Sequence, residues 1–308
     1  MKKYILILSV SNLLLSSCDS WLQEPSPGTT ELKDFYTSGA TAIQNVNAAY
    51  VPLMWEFHTT YFPEWFIGDI VSDDALKGGQ SIADMADVYD MENFKPNNNN
   101  NVLLEYYRAQ WQGIGRCNLA LQEIPSMATD TIMDEKLKKR LLGELSFLRA
   151  FYYFRLVRVF GSIPKVTAPI MSSNEWKKNN ASVDEIYKLV LKDLETANNY
   201  LWKKSEYQPD DLGRATKGAA QAMLLKANLY QHNYSEAKRW GDSILISQEY
   251  SLLPNYADNF TLEGENGRES VFEIQYMEDP TSDYGEGFGF TRGTFTVILT
   301  RSRSSKLG

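Results

Sequence analysis

The sequence has little cysteine and histidine, no long apolar run and no excess of basic charge. With 2 Cys among 308 residues it cannot be a disulfide scaffold. Its 2 His, His58 and His232, have no Cys or His companion at metal-ligand spacing, which argues against a metal site. No apolar stretch reaches the roughly 18 residues that a membrane-spanning helix needs. The 31 Lys plus Arg are outnumbered by 39 Asp plus Glu, for a net charge of −8, and no basic run occurs. Nucleic acid is therefore a poor partner, because neutralising phosphates takes clustered Lys and Arg. What is present is a chain that is 43% hydrophobic and 13% aromatic, with 18 Tyr, 14 Phe and 7 Trp. That composition excludes disorder and gives ample material for a buried core.

The N-terminus has its own layout. Met1-Lys2-Lys3 is a short basic start, and Tyr4 to Leu15 is mostly Ile, Leu and Val, as in an export signal. The stretch ends in Leu15-Ser16-Ser17-Cys18, which resembles a bacterial lipobox. In a lipobox the thiol takes a diacylglyceryl group and becomes the new N-terminus, and small residues before it admit the peptidase. Residues 1–17 are expected to be a removable signal and residues 18–37 a lipidated, extended tether with Pro25, Pro27 and Gly28. Cys117 lies in an apolar helical stretch and reads as a small buried hydrophobe.

Apolar periodicity of three to four residues runs through most of the remainder. Ser38 can cap a helix from about Ala40 to Trp55, and Val102 to Ile124 forms a second. The strongest pattern, from about Asp134 to Phe160, carries Leu137, Leu141, Leu145, Leu148, Tyr152 and Leu156, and Gly161 and Pro164 end it. Ser182-Val183-Asp184-Glu185 is a capping box that opens a further helix. Thr216 to Tyr230 and Tyr234 to about Gln248, joined by a short link, make an antiparallel helical hairpin loosely like a tetratricopeptide repeat. Residues 56–101 read as irregular, and Val271 to Tyr276 as the one strand. The expected class is all-α: stacked helical hairpins with long loops and little strand.

Several stretches resemble one known family when taken together. Gly143-Glu144-Leu145-Ser146-Phe147-Leu148-Arg149-Ala150-Phe151-Tyr152-Tyr153-Phe154, followed by Val159-Phe160-Gly161-Ser162-Ile163-Pro164, resembles the hallmark helix of SusD/RagB-type outer-membrane lipoproteins. Gly213-Arg214-Ala215-Thr216-Lys217-Gly218-Ala219-Ala220 and Glu269-Ser270-Val271-Phe272-Glu273-Ile274-Gln275 resemble its second and third markers. Ser72-Asp73-Asp74 and the Trp111, Ile114, Asn118 spacing also fit. The resemblance implies a TPR-like helical fold from 38 to 286 and a surface-exposed, lipid-anchored outer-membrane protein. It further implies a non-enzymatic role, capturing oligosaccharide for a SusC-type TonB-dependent transporter, with no cofactor. The family continues well beyond its third marker, whereas Gly287 to Gly308 carries Arg292, Arg301, Arg303 and Lys306 and no acid. That segment is expected to be an atypical, non-native tail of a truncated or frame-shifted product.

Sugar recognition needs aromatic faces for the C–H side of a pyranose and amides, carboxylates or cations for its hydroxyls. The loop of residues 56–101 supplies both kinds, with Trp55, Tyr61, Phe62, Trp65, Tyr89 and Phe94 beside Asp73, Asp74, Lys77 and Asn97 to Asn101. Asp283 to Phe288 offers a second such loop. Guided by the family's use of comparable loops, the expected ligand contacts are Lys77, Tyr89, Asn98 and Tyr284, with Trp65 and Phe288. The competing reading is that Trp55, Trp65 and Phe66 close the helical core. Asp69, Asp73 and Asp74 lack the order of a calcium loop and read as local caps. No nucleophile elbow or phosphate loop occurs, and nothing selects a carboxylate pair for glycoside hydrolysis. Glu144 and Arg149 read as internal ion-pair or capping members. A TPR-like surface scaffold without a carbohydrate site is the alternative function, and the identity of the glycan is not encoded in these residue types.

Overall fold

The computed structural model describes residues 35–54, 64, 66–79 and 81–275. The described residues from Ser38 onward belong to one contact unit. Cys18, Trp65, Tyr284 and Phe288 lie outside the described residues, as do Trp55, Tyr61 and Phe62.

Helix α1, Gly39–Tyr50, begins at Ser38, whose side chain accepts from the Thr41 amide while Thr41 reaches back to the Ser38 amide. A 3-10 turn, Val51–Met54, replaces the expected continuation to Trp55. Pro52 explains the break, because it has no N–H to donate to the carbonyl of Ala48. Arg116 Nη1 takes that carbonyl instead, at 2.7 Å. After a single π turn, Phe66–Ile70, come α2 (Ala86–Glu92), α3 (Asn101–Glu123) and α4 (Glu135–Phe160). Beyond them lie α5 (Val183–Tyr200), α6 (Lys217–Tyr230) and α7 (Tyr234–Ser247). Residues 56–101 are thus less irregular than expected: a π turn and α2 lie within them.

From α3 to α7 consecutive helices pack on one another, and α1 lies against α3 and α4. This is the stack of helical hairpins that the periodicity predicts, and the TPR-like fold that the resemblance implies. The two strands among the described residues, β1 (Ile163–Pro164) and β2 (Asn180–Ala181), pair antiparallel through two residues each and staple the loop between α4 and α5. The expected strand at Val271 to Tyr276 is not formed over its described part, Val271 to Gln275. A strand needs a neighbour, and no other strand lies beside it among the described residues. Phe272 instead sets its ring edgewise against Phe147 and Phe151, at centroid distances of 5.1 and 6.0 Å.

Helix α4 is the centre of the stack and is buried on nearly every side from Gly143 to Val157. That is why its sequence is apolar almost all round rather than striped. Its crossing with α3 is close enough that a Cβ on Gly113 would overlap the Tyr152 ring. Tyr152 donates its hydroxyl to the Ala49 carbonyl at 2.7 Å, which ties α4 to α1. Ser182 and Glu185 form the expected capping box of α5. Gly161, at φ +67, ends α4 in a conformation that only glycine adopts freely. Cys117 is fully buried, and burial pushes its thiol pKa up, as fits an inert packing residue.

Buried charge joins three helices. Arg149 on α4 grips Asp193 on α5 with Nε and Nη2 at 2.7 and 2.8 Å, and donates Nη1 to Asn118 Oδ1 on α3 at 3.0 Å. Asn118 in turn donates to the Val166 carbonyl at 2.9 Å, and Tyr153 shares its hydroxyl with the same residue at 2.7 Å. Burial alone would lower the Arg149 pKa, but the Asp193 carboxylate more than offsets it, so the guanidinium is raised and stays charged. The family markers Asn118 and Arg149 are therefore structural. Asp193→Ala leaves this guanidinium buried without its carboxylate, and about 3–5 kcal/mol of stability should be lost in urea unfolding. The exposed Lys238–Asp242 pair (2.6 Å) is the control, and its Lys238→Ala variant should unfold within about 0.5 kcal/mol of the parent.

Candidate functional site

The segment singled out for ligand contact is built on a small core of its own. Phe66, Ile70, Val88, Met91 and Val102 are buried together, with Ile67, Met85 and Leu103 packed against them. Val88 and Met91 are one turn apart, so one face of α2 turns inward and Tyr89 and Glu92 fall to its flank. Polar ties fix both ends of α2. At its N-terminal end Asp87 Oδ2 accepts from the Asn101 amide and side chain at 3.0 and 3.2 Å, and the Asp87 carbonyl accepts from Asn100 Nδ2 at 2.8 Å. At its C-terminal end Glu92 Oε2 accepts from the Lys77 amide at 2.9 Å. Non-glycine residues with positive φ, Met85 (63°) and Phe94 (54°), bracket the helix.

Lys77, Tyr89 and Asn98 are therefore carried on segments that converge on α2. Tyr89 is half-buried on α2 itself. Lys77 Nζ donates to the carbonyls of Gly78 and Ser81 at 2.9 and 3.0 Å, which closes its loop as well as offering a cation. Asn98 is exposed at the tip of the turn before α3. Of the five asparagines, Asn100 caps α3 by accepting from the Leu103 amide at 3.0 Å, and Asn101 is spent on Asp87. Asn97 accepts from the Asn99 amide at 2.8 Å. The asparagine run is thus partly a capping device. Around Asp69 and Asp74 the capping side chain is Ser72, whose hydroxyl donates to the Asp69 backbone carbonyl at 2.7 Å and accepts from the Asp74 backbone amide at 3.1 Å. No group of His, Cys, Asp and Glu that could hold a metal occurs among the described residues.

Beside α2 lies a cavity of about 330 Å³ lined by Met85, Ala86, Asp87, Asn101, Val102 and Glu105. Three large apolar side chains on the same segment stand out in solvent: Leu76, Ile82 and Phe94, exposed by 77, 60 and 74%. Leu76 and Ile82 were not among the expected contacts. Their exposure has no sequence signal, because burial of a lone Leu or Ile in a loop depends on where that loop lands. Phe66, by contrast, is 2% exposed and belongs to the core.

A second cluster is buried where α1, α4 and the segment before α6 meet. The carboxylate of Glu144, fully buried, receives the Tyr50 hydroxyl at 3.0 Å and Arg214 Nη1 at 3.1 Å. Its other oxygen faces Arg140 Nε at 3.2 Å, an ion pair set off the hydrogen-bonding angle. Asp211 closes the ring, taking Arg140 Nη1 at 2.7 Å and Arg214 Nε at 2.6 Å. Arg140 also stacks over the rings of Trp202 and Tyr207, at 4.6 and 5.2 Å. Burial raises the Glu144 pKa, against the pull of Arg214 and Arg140. A carboxyl with no solvent contact and three fixed neighbours holds elements together and has no route to a substrate. Sequence reading reached Glu144 but missed Arg140, although its i,i+4 spacing to Glu144 was a signal.

Known proteins share this fold. The model of the SusD-like family, described as starch-binding associating with outer membrane, matches residues 41–229, and the chain belongs to that family. A SusD-like protein of Formosa agariphila, P38, is 27% identical over 311 aligned positions, covering 96% of this chain and 56% of its own length. Among solved structures, a laminarin-binding SusD-like protein superposes with a TM-score of 0.70 at 28% identity, over 77% of this chain and 51% of that one. Surface glycan-binding protein A from Bacteroides thetaiotaomicron, solved with laminarihexaose, gives 0.70 at 26% identity, over 80% and 51%. The chain spans about half the length of the relatives it matches.

Proposed function

We propose that the protein is a cell-surface lipoprotein that captures oligosaccharide for uptake by a partner SusC-type TonB-dependent transporter. In this reading residues 1–17 are a signal peptide, Cys18 carries the lipid, residues 18–37 are a tether and 38–286 form the binding domain. Residues 287–308 are an atypical tail. The protein binds its ligand and does not cleave it, which is supported by the family's description as starch-binding. The glycan contacts are Lys77, Tyr89 and Asn98, joined by Trp65, Tyr284 and Phe288.

The observation that carries the reading is the packed platform around α2. It leaves Phe94, Leu76 and Ile82 exposed beside a half-buried Tyr89, a lysine and a tip asparagine. Apolar faces next to hydrogen-bonding groups are what a pyranose ring requires. The same residues give a scaffold for protein partners no evident purpose for a cation and amides at that edge. Laminarihexaose is the first ligand to test, because it is bound in one structural relative and another is named for laminarin.

Calorimetry with laminarihexaose and a wider glycan panel should give saturable binding to at least one member. Tyr89→Ala, Lys77→Ala and Asn98→Ala should each weaken it by roughly tenfold or more, about 1.4 kcal/mol. Flat isotherms across the panel would favour the TPR-like scaffold instead. Anchoring is tested separately: metabolic labelling with a palmitate analogue should mark the protein and vanish in Cys18→Ala. Label that persists in the variant contradicts the lipobox.

A further inference from the structure

A different cavity, of about 220 Å³, opens above the Glu144 cluster and shares no lining residue with the one beside α2. One wall comes from the end of α1 and the turn after it, with Tyr50, Leu53 and Met54; the opposite wall is the extended run from Phe272 to Gln275. Leu212, Gly213 and Arg214 lie between them. Gly213, at φ +92, lets the Gln275 side chain approach where a Cβ would collide with it. Phe272 is held in place by its edge contacts with Phe147 and Phe151.

The polar groups of this cavity select a ligand. Arg214 has committed Nε to Asp211 and Nη1 to Glu144, which leaves Nη2 as a donor with no partner among the described residues. Arg140 and Arg214 are balanced by Glu144 and Asp211, so the floor is neutral. Asp210 then adds a carboxylate, Glu273 lies on the wall within the field of Lys204, and Asn47, exposed on α1, adds an amide. A phosphate, sulfate or uronate would meet the Asp210 carboxylate there. A neutral polyhydroxyl ring finds donors, acceptors and an apolar wall together. The volume is below the roughly 300–1,000 Å³ of pockets that enclose drug-sized molecules, so it admits one ring rather than a chain.

We propose that this cavity is a second carbohydrate site, taking a single neutral sugar ring, with Arg214, Asn47 and Asp210 as its hydrogen-bonding groups. The proposal rests on the reading of the protein as a glycan binder and adds a position away from α2. The test uses the full chain labelled with [¹³C-methyl]methionine, with the Met54 methyl resonance assigned by its loss in Met54→Leu. Glucose and laminarihexaose are the titrants. Met54 should shift saturably with glucose, and Asn47→Ala and Asp210→Ala should each weaken that response by at least tenfold while Tyr89→Ala leaves it unchanged. Both substituted residues are exposed, so folding is not at stake. A Met54 signal that neither sugar moves, or that responds equally in Asn47→Ala and Asp210→Ala, overturns the second site. If laminarihexaose then still binds and loses affinity in Tyr89→Ala, the α2 reading stands alone. If no sugar binds anywhere, both fall.

Discussion

A carboxylate with no exposure to water sits at the middle of this structure, and its neighbours are where they are because it must be neutralised. An ionised group in so dry a place costs several kcal/mol unless it is paired and hydrogen-bonded. Glu144 meets that demand with partners from three parts of the chain: Tyr50 at the end of α1, Arg140 one turn away on α4, and Arg214 just before α6. Asp211 bridges the two arginines, and the Tyr50 hydroxyl also accepts from the Ala215 amide at 2.9 Å. Satisfying one acid therefore fixes the meeting of elements more than a hundred positions apart in sequence. Arg149 and Asp193 do the same between α3, α4 and α5, so the strongest charges of the interior are consumed in assembling the frame.

This division explains where recognition can occur. Side chains of the hallmark helix that looked chemically capable are buried and matched, and they have none of the access that binding demands. The segment from Phe66 to Asn101 is different. It has enough apolar residues for a small core of its own beneath α2, and in the proposed reading Tyr89, Lys77 and Asn98 meet the ligand above it. Rigid support beneath exposed groups is the arrangement that binding surfaces need, because ordering a loose loop would subtract from affinity.

The parts of the fold legible in the sequence are those governed by local rules. Caps at Ser38 and Ser182, the stop at Gly161 and the apolar spacing of α3 to α7 depend on neighbours within a few positions, and they are found where expected. What was not legible depends on distant partners. The run Val271 to Gln275 has strand-like alternation, but alternation alone does not supply a neighbouring strand. Helix α2 is only seven residues long, too short for a periodic signal, and is held by Asp87 and Glu92 contacts across a loop. The break in α1 could have been read from Pro52, whereas the use of Arg116 to take up the freed carbonyl could not. At the candidate site, residue types were visible, but which asparagines remain free for a ligand depends on which ones cap α3.

The central claim is that a charge-satisfied helical frame carries its ligand on the surface built around α2. Hydrogen exchange of the full chain with and without laminarihexaose tests it most directly. The account predicts slowed exchange between residues 77 and 101, with the buried helix α4 unchanged. Protection confined to α5, α6 or α7, with none near α2, would contradict it.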